Sequence, residues 1–239
     1  MGRELVGARS NGAAVIVVRT LDWMNRHGKA FAVRYRGVHP KHLVEVPGHA
    51  WYLPHIPREA VVLDVGCGTG AHAKRIRAEL EAVVHEADRP WFDAEEAWRF
   101  PDASFDVVLM LDVLEHLYNR HQALLEARRV LKPGGRLVLA VPNSETTWRT
   151  RLRRAGLFAY SDPDHKLEYT YHGIVSAVRQ AGFEIHSVTP ATYDTPWAGV
   201  MDALGALWLP LYRRFATWRH ARVSDQIEES TGFRVVGVK

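Results

Sequence analysis

The sequence predicts an α/β fold built on a doubly wound, mostly parallel β-sheet. Short apolar runs alternate with segments of helical character between residues 61 and 141, an alternation typical of strand–helix–strand crossovers. Glycine-rich turn signals separate several of these runs and mark where they end. Runs that are apolar over nearly their whole length are expected in a parallel sheet that is buried on both faces.

Six strands and two helices follow from this pattern. The first strand, Val61–Val65, enters a glycine cluster, and a helix is predicted over 71–82. A second helix-like segment covers 113–130, and the tetrapeptide KPGG after it is a strong turn signal before the next strand. The other strands are predicted at 82–87, 106–111, 136–141, 183–188 and 233–238.

One domain is expected to take up all 239 residues, since a domain typically needs about 100–200. Its parts are an N-terminal cap (1–55), a core (56–190), an insertion or lid (191–230) and a last strand (231–239). In the insertion, apolar residues recur at three- and four-residue spacing, which predicts a helix with a kink at Pro210. The segment from Trp23 to Trp51 has no clear periodicity.

Composition excludes several classes of protein. Hydrophobic residues make up 47% of the chain and charged residues 24%, which argues against long disorder or a repeat architecture. The one cysteine, Cys67, cannot form an internal disulfide, so a disulfide-stapled secreted scaffold is excluded. The apolar run at 13–18 is too short for a signal-peptide core or a membrane span. A cytoplasmic location is therefore expected.

The formal net charge of +4 is unevenly distributed along the chain. Residues 61–145 have an excess of four acidic groups, whereas 1–60 have an excess of five basic groups and 146–239 an excess of three. A basic total alone says little about partners, and no RNA-binding module is recognisable. Nucleic acid is therefore not the expected partner.

The motif VLDVGCGTG is the most informative part of the sequence. It places Gly66, Gly68 and Gly70 at alternate positions between a strand and a helix. Glycines let a ligand approach the backbone closely, and the free N–H groups at the start of the helix favour a carboxylate or phosphate. Asp88, 22 residues after Gly66, ends the next strand, where a carboxylate can accept both ribose hydroxyls. The pattern predicts a nucleoside site for either a dinucleotide or a nucleoside sulfonium.

Five stretches between residues 61 and 143 match a known family in order: VVLDVGCGTG, VVHEADR, FDAEEAWRFPDASFDVV, LDVLEHL and RVLKPGGRLVLAVPN. With AGFEIHSV at 181–188, the chain resembles the class I S-adenosylmethionine-dependent methyltransferases, especially the small-molecule branch of ubiquinone and menaquinone biosynthesis. The resemblance implies a Rossmann-like sheet of seven strands whose last strand, 233–238, is antiparallel.

The resemblance also implies which residues bind S-adenosylmethionine. The glycine turn with Cys67 would surround the methionine part, and Asp64 would organise its amino end. Asp88 would hold the ribose, with Glu86 as the alternative. Cys67 is interpreted as a packing residue and not as a nucleophile. The adenine side and the neighbouring strand end would be formed by Arg89, Asp93, Ala94, Met110 and Leu111.

In-line displacement at the sulfonium methyl needs positioning above all, and a base only if the acceptor arrives protonated. Two histidines are candidates for that base. His116 lies where the family places residues near the methyl group, and its alternative role is to orient the loop. His165, beyond the strand predicted at 136–141, is otherwise a solvated loop residue. No group of residues has metal-ligand spacing, so no metal ion is expected.

The leading hypothesis is a methyltransferase acting on an O or N atom of a small-molecule, sugar or lipid-linked metabolite. An anionic or lipid-linked acceptor would suit the basic flanks. The apolar stripe in 197–222 would pack on the domain or on a second subunit, or would contact a membrane surface, so the protein is expected as a monomer or homodimer. The alternatives are an NAD-dependent oxidoreductase and a non-catalytic methyltransferase-like adaptor.

Overall fold

A computed structural model describes residues 12–46 and 48–239. Within this part of the chain, six strands form one sheet in the order β2-β1-β3-β4-β6-β5. The strands β1 to β4 pair in parallel, whereas β6 pairs antiparallel with both β4 and β5. The bounds are β1 Val61–Val65, β2 Val83–Ala87, β3 Phe105–Leu111, β4 Leu131–Pro142, β5 Glu184–Pro190 and β6 Gly232–Val238.

The α/β class, the mostly parallel sheet and the antiparallel last strand are confirmed. The described residues contain six strands, however, and not the seven that the resemblance implies. Only residues 88–104 connect β2 to β3, and they form turns. A parallel crossover with its own helix and an extra strand needs about 30 residues, so this connection is too short for one. As a result, β2 is the edge of the sheet.

Three helices pack against strands of this sheet: α2 (Ala71–Leu80) contacts β2, α3 (Arg120–Val130) contacts β4 and α5 (Tyr171–Gln180) contacts β5. Apolar side chains form two separate buried clusters: one includes Leu63 and Met110, and the other includes Val62 and Leu109. Because neighbouring residues of one strand point to opposite faces, the sheet is buried on both faces, as predicted.

Two predicted elements have different bounds in the structure. The helix predicted over 113–130 is a short 3-10 turn at Leu114–His116 followed by α3. The KPGG turn is a bulge within β4: Phe105 pairs with Leu131 and Val107 with Arg136, so the residues between leave the ladder. Gly134 takes a φ of 75° there, which glycine adopts without strain.

The described residues separate into two compact units. We call residues 48–146, 160–193 and 217–239 the sheet unit, and residues 12–46, 147–159 and 194–216 the helical unit. The helical unit contains α1 (Gly12–Arg36), α4 (Thr147–Arg154), α6 (Ala198–Leu207) and the first half of α7 (Leu209–Val223). The domain division made from the sequence stays a prediction.

The long helix α1 is the largest difference between the structure and the sequence-based prediction, because the sequence shows no clear helical periodicity from Trp23 onward. It packs on α6, and a Cβ on either Gly28 or Gly199 would overlap the other helix. The N–H of Gly199 donates to Asn25 Oδ1. The break between α6 and α7 falls at Trp208, whose backbone is extended with φ −140° and ψ 97°. Pro210 is the second residue of α7, and the first turn of a helix tolerates proline because its N–H groups need no partner within the helix.

No helix in the described part of the chain is both long enough and apolar enough to span a bilayer.

Candidate active site

The turn after β1 has the geometry of a ligand cradle. Gly66, Gly68 and Gly70 have φ values of 70°, 53° and 71°, a region that other residues enter only with strain. A Cβ on Gly66 would overlap Val113, and one on Gly70 would overlap a carboxylate oxygen of Glu86, whereas Gly68 faces open space. The turn is therefore closed on the protein side and open where a ligand would lie.

Asp64 lies at the base of this cradle and is 2% exposed. Its Oδ2 has no hydrogen-bond partner within the described chain. Burial, followed by the nearby carboxylates of Glu86 and Asp88, raises the pKa of Asp64 to about 7. Burying a carboxyl group without a hydrogen-bond partner costs folding free energy, and a cationic group of a ligand would provide such a partner. This is what the amino end of a bound methionine moiety would do.

The two candidates for the ribose ligand differ in their present partners. Asp88 Oδ2 accepts a hydrogen bond from the N–H of Gly68 at 2.7 Å, and its Oδ1 accepts from the N–H of Arg89 at 2.7 Å. Asp88 thus also shapes the glycine turn. Glu86 pairs with Arg77 at 2.8 Å. The ribose assignment of Asp88, with Glu86 as its alternative, stays a prediction.

The remaining predicted cofactor residues lie around the same edge of the sheet. Arg89 donates to Asp93 at 3.1 Å, so this pair orders the connection after β2. Ala94 is buried. Met110 is fully buried and pairs with Val65 across β1 and β3, so it and its neighbour Leu111 can present backbone atoms to a ligand.

Cys67 is half-buried. Burial and three nearby carboxylates raise the pKa of its thiol, and a raised pKa disfavours the nucleophilic thiolate. This supports the packing role predicted for Cys67.

Both candidate bases, His116 and His165, belong to one cluster. Their ring centroids lie 4.6 Å apart, nearly perpendicular to each other. His165 Nδ1 lies 2.8 Å from Glu168 Oε1. An ionised Glu168 has no proton to donate. In that pairing Nδ1 of His165 is the donor, and Nε2 is left as an acceptor. A histidine whose tautomer is fixed by a carboxylate in this way can act as a general base.

Glu115 is a buried member of the histidine cluster. It is 1% exposed, its Oε2 has no partner within the described chain, and its Oε1 lies 3.9 Å from His165 Nε2. Burial, followed by the charge of Asp112, raises the pKa of Glu115 to about 8. Glu115 is therefore mostly a neutral acid at pH 7, able to donate a hydrogen bond.

Three groups of this cluster, Glu115, His116 and His165, also place one ligand atom each within 4.8 Å of the others. The sequence spacing does not indicate this, because His165 comes from beyond β4. Glu168 already engages His165 Nδ1, which favours proton transfer as the role of this histidine. The expectation that no metal is needed stays a prediction.

Sequence reasoning did not single out Glu115 or Glu168. The spacing of His165 and Glu168, three residues apart, is a local signal for their pairing. Glu168 also accepts hydrogen bonds from the N–H and Oγ of Ser161, both at 2.6 Å. The segment that carries His116 starts at Val113, which packs against Gly66, so packing connects the histidine cluster to the glycine turn.

Comparisons with known proteins show the family of the chain. A family model described as a methyltransferase domain matches residues 47–188. A 27-O-demethylrifamycin SV methyltransferase from Amycolatopsis mediterranei is 36% identical over an alignment of 100 residues, and the match covers 33% of this chain and 37% of that protein. A ubiquinone biosynthesis O-methyltransferase from Maricaulis maris is 32% identical over an alignment of 102 residues, and the match covers 34% of this chain and 40% of that protein. The chain thus spans well under two thirds of either relative.

Among solved structures, a SAM dependent methyltransferase from Archaeoglobus fulgidus is similar with a TM-score of 0.54 and 17% identity. The similarity covers 79% of this chain and 90% of that one, and at this identity it shows the fold alone. The family model covers more than half of the chain and includes the whole glycine turn. The chain belongs to the methyltransferase-domain family, among the class I S-adenosylmethionine-dependent methyltransferases.

Proposed function

We propose that this protein transfers a methyl group from S-adenosylmethionine to an oxygen or nitrogen atom of a small-molecule, sugar or lipid-linked metabolite. The observation that carries the proposal is Asp64, a buried carboxyl group whose Oδ2 has no partner among the described residues, at the base of a three-glycine cradle. A dinucleotide would bring phosphates to this turn, and the acidic groups around it, Asp64, Glu86 and Asp88, oppose them. A cationic ligand fits this charge.

The residues present can hold S-adenosylmethionine. The glycine turn would receive the methionine part, Asp64 its ammonium group, Asp88 or Glu86 the ribose hydroxyls, and the connection around Asp93 the adenine. When bound, the cofactor supplies a methyl group on a positively charged sulfur. The protein's main task is then to hold the acceptor in line with that carbon, which is worth up to about 7–11 kcal/mol of the barrier.

His165 would act on the acceptor. Its Nε2 would take the acceptor's proton while the new O–C or N–C bond forms and the S–C bond breaks. Glu168 would keep the imidazole in the required tautomer and stabilise the imidazolium. Neutral Glu115 would donate a hydrogen bond to the acceptor, and His116 would hold the plane of the His165 ring through their edge contact.

Titration of the purified protein with S-adenosylmethionine in a calorimeter tests this function. We expect micromolar binding, and we expect Asp88→Ala to weaken it by about 100-fold or more, because two charge-assisted hydrogen bonds within the turn disappear with the ribose contact. Asp225→Ala, an exposed carboxylate, is the matched control and should bind normally.

Absence of binding at millimolar cofactor would contradict the proposal. Binding of NADH in its place would favour the oxidoreductase. An Asp88→Ala protein that loses the cofactor but keeps its cellular function would favour the adaptor.

The helical unit supports a further part of the proposal, contact with a membrane surface from the cytoplasm. Its described residues include 12 Lys and Arg against 4 Asp and Glu, and Asp22 and Asp202 among these acids are buried. Of the seventeen large apolar residues exposed in the described chain, twelve belong to this unit. On α1, the large apolar side chains of Ile16, Trp23 and Phe31 are exposed. A basic surface with exposed aromatic groups favours anionic lipid.

Vesicle sedimentation checks this prediction. We expect the protein to bind phosphatidylcholine vesicles that contain about 30% phosphatidylglycerol, to bind pure phosphatidylcholine weakly, and to lose binding in high salt. Trp23→Ala should weaken binding about threefold to tenfold through lost apolar burial. Trp91→Ala removes a tryptophan of the sheet unit that is even more exposed than Trp23 and should have no effect. Equal binding to both vesicle types would contradict the prediction.

A further inference from the structure

A cavity of about 370 Å³ in the sheet unit has no role in the site described so far. Arg234, His220, Trp51 and Gly48 line it, together with Thr189 and Ser224. Binding sites for small molecules typically measure about 300–1,000 Å³, so the cavity can hold a molecule with one or two rings. Its polar lining consists of donors and hydroxyl groups and includes no carboxylate.

The cavity opens at the edge of the sheet that carries the glycine turn. Arg234 pairs with Ala140 near the end of β4 and with Thr189 at the end of β5. The parallel strands β1 and β3 end at the same edge, which is where ligands bind in open α/β sheets.

A row of aromatic rings also connects the cavity to the helix that follows the glycine turn. The guanidinium of Arg234 lies 5.4 Å from the Trp51 ring, Trp51 lies 6.5 Å from Tyr52, and Tyr52 lies 5.1 Å from His72 in the first turn of α2. A molecule in the cavity would therefore be a neighbour of the cofactor site.

The guanidinium of Arg234 has no counter-ion among the described residues. It donates to the carbonyl oxygen of Gly48 at 2.9 Å, and Arg234 lines the cavity. Burial lowers the pKa of Arg234 to about 10, and Asp112 offsets only part of that effect from a distance. A partly buried cation without a counter-ion lowers the stability of the folded protein. An anionic ligand that binds beside Arg234 would offset this cost.

His220 is a second donor at the same place. Its Nδ1 is buried and has no partner within the described chain. A Cβ on Gly48 would lie 2.7 Å from the His220 ring and 2.9 Å from Arg234 Nη1, so the two side chains converge on the glycine. Gly48 itself has a φ of 80°. Two nitrogen donors that converge beside an aromatic ring form a binding site for an anionic group on an apolar body.

We propose that this cavity binds the methyl acceptor by a carboxylate or phosphate group, with Arg234 and His220 as its donors and Trp51 against its apolar part. The inference rests on the proposed function and names the class of acceptor. The acceptor is an anionic small molecule whose nucleophilic O or N atom reaches the methyl group from the β4 and β5 side of the sheet edge.

Three small probes test the proposal in calorimetric titrations of the full chain: benzoate, phenyl phosphate and neutral benzyl alcohol. We expect both anions to bind more tightly than the alcohol, and the tighter anion identifies the group. Arg234→Met should weaken anion binding by about tenfold or more, the loss expected for a charge-assisted hydrogen bond. His220→Ala should weaken it less. Arg213→Met, an exposed arginine, should bind as the parent protein does.

The affinity for S-adenosylhomocysteine separates this inference from the proposed function. It should stay within about twofold in Arg234→Met, because the variant leaves the glycine turn intact. Equal binding of benzoate, phenyl phosphate and benzyl alcohol by the parent protein would overturn the inference, and so would unchanged anion binding in both Arg234→Met and His220→Ala. Failure of the parent protein to bind S-adenosylhomocysteine would overturn the proposed function alone, since anion binding is measured without it.

Discussion

His165→Gln is expected to lower kcat by about 10²- to 10⁴-fold, the usual contribution of a general base. Glutamine can still donate to Glu168, so the loop should keep its conformation while the basic Nε2 atom is lost. The assay is S-adenosylhomocysteine release with an acceptor found by screening anionic hydroxy and amino compounds. His121→Gln, an exposed histidine at the start of α3, is the control and should be fully active.

The pH profile distinguishes a base from a residue that only supports the loop. Above the pKa of the acceptor itself, the acceptor arrives ionised and needs no base, so the defect of His165→Gln should shrink as pH rises through that value. A defect of constant size at all pH values would contradict the base assignment.

Glu168→Gln should lower kcat by about tenfold or more with little change in KM, because the carboxylate fixes the tautomer of His165 without touching the substrate. An increase confined to KM would assign Glu168 to acceptor binding instead.

The parts of this protein that could be predicted from sequence are those set by local signals. The apolar strand Val61–Val65, the positive-φ glycines after it and Asp88 at the end of the next strand are close in sequence, and the fold keeps them together. The apolar runs themselves also indicate six strands. The seventh came from the resemblance, and the short connection at 88–104 has no room for it.

Long-range packing decided what the sequence could not predict. Helix α1 depends on the close approach of Gly28 and Gly199, a contact between positions far apart in the chain that leaves no periodic signal. Arg234 and His220 converge on Gly48 for the same reason. Glu115 is an unremarkable acid in sequence, and only its burial beside Asp112 makes it a neutral donor.

The affinity for the cofactor is expected to depend strongly on pH through Asp64. Its pKa of about 7 in the free protein means that much of the carboxyl group is protonated below neutral pH. A cationic cofactor binds the ionised form, so affinity for S-adenosylmethionine should rise by up to tenfold per pH unit below pH 7 and become level above it. Binding at pH 6 should release protons, which calorimetry in buffers of different ionisation enthalpy measures directly.

Asp64→Asn should remove this pH dependence and weaken binding at pH 7.5 by about 10- to 100-fold, the loss of one buried charge pair. The same variant should make the free protein more stable. The folded-state pKa is raised above the unfolded value, so the folded protein binds more protons between about pH 4 and 7 and loses stability as pH rises through that window. At pH 7.5 the gain should be roughly 2–4 kcal/mol. Asp225→Asn is the exposed control.

These opposite signs make the Asp64 prediction decisive. A residue that only supports the glycine turn would lose stability and affinity together when it is replaced. A residue whose charge is held in place for a ligand loses affinity while the free protein gains stability, because the cost of burying the carboxylate is offset only when the cation is bound. A variant that is less stable than the parent at pH 7.5, or that binds the cofactor equally well, would assign Asp64 a structural role and leave cofactor recognition to Asp88 and the backbone of the turn.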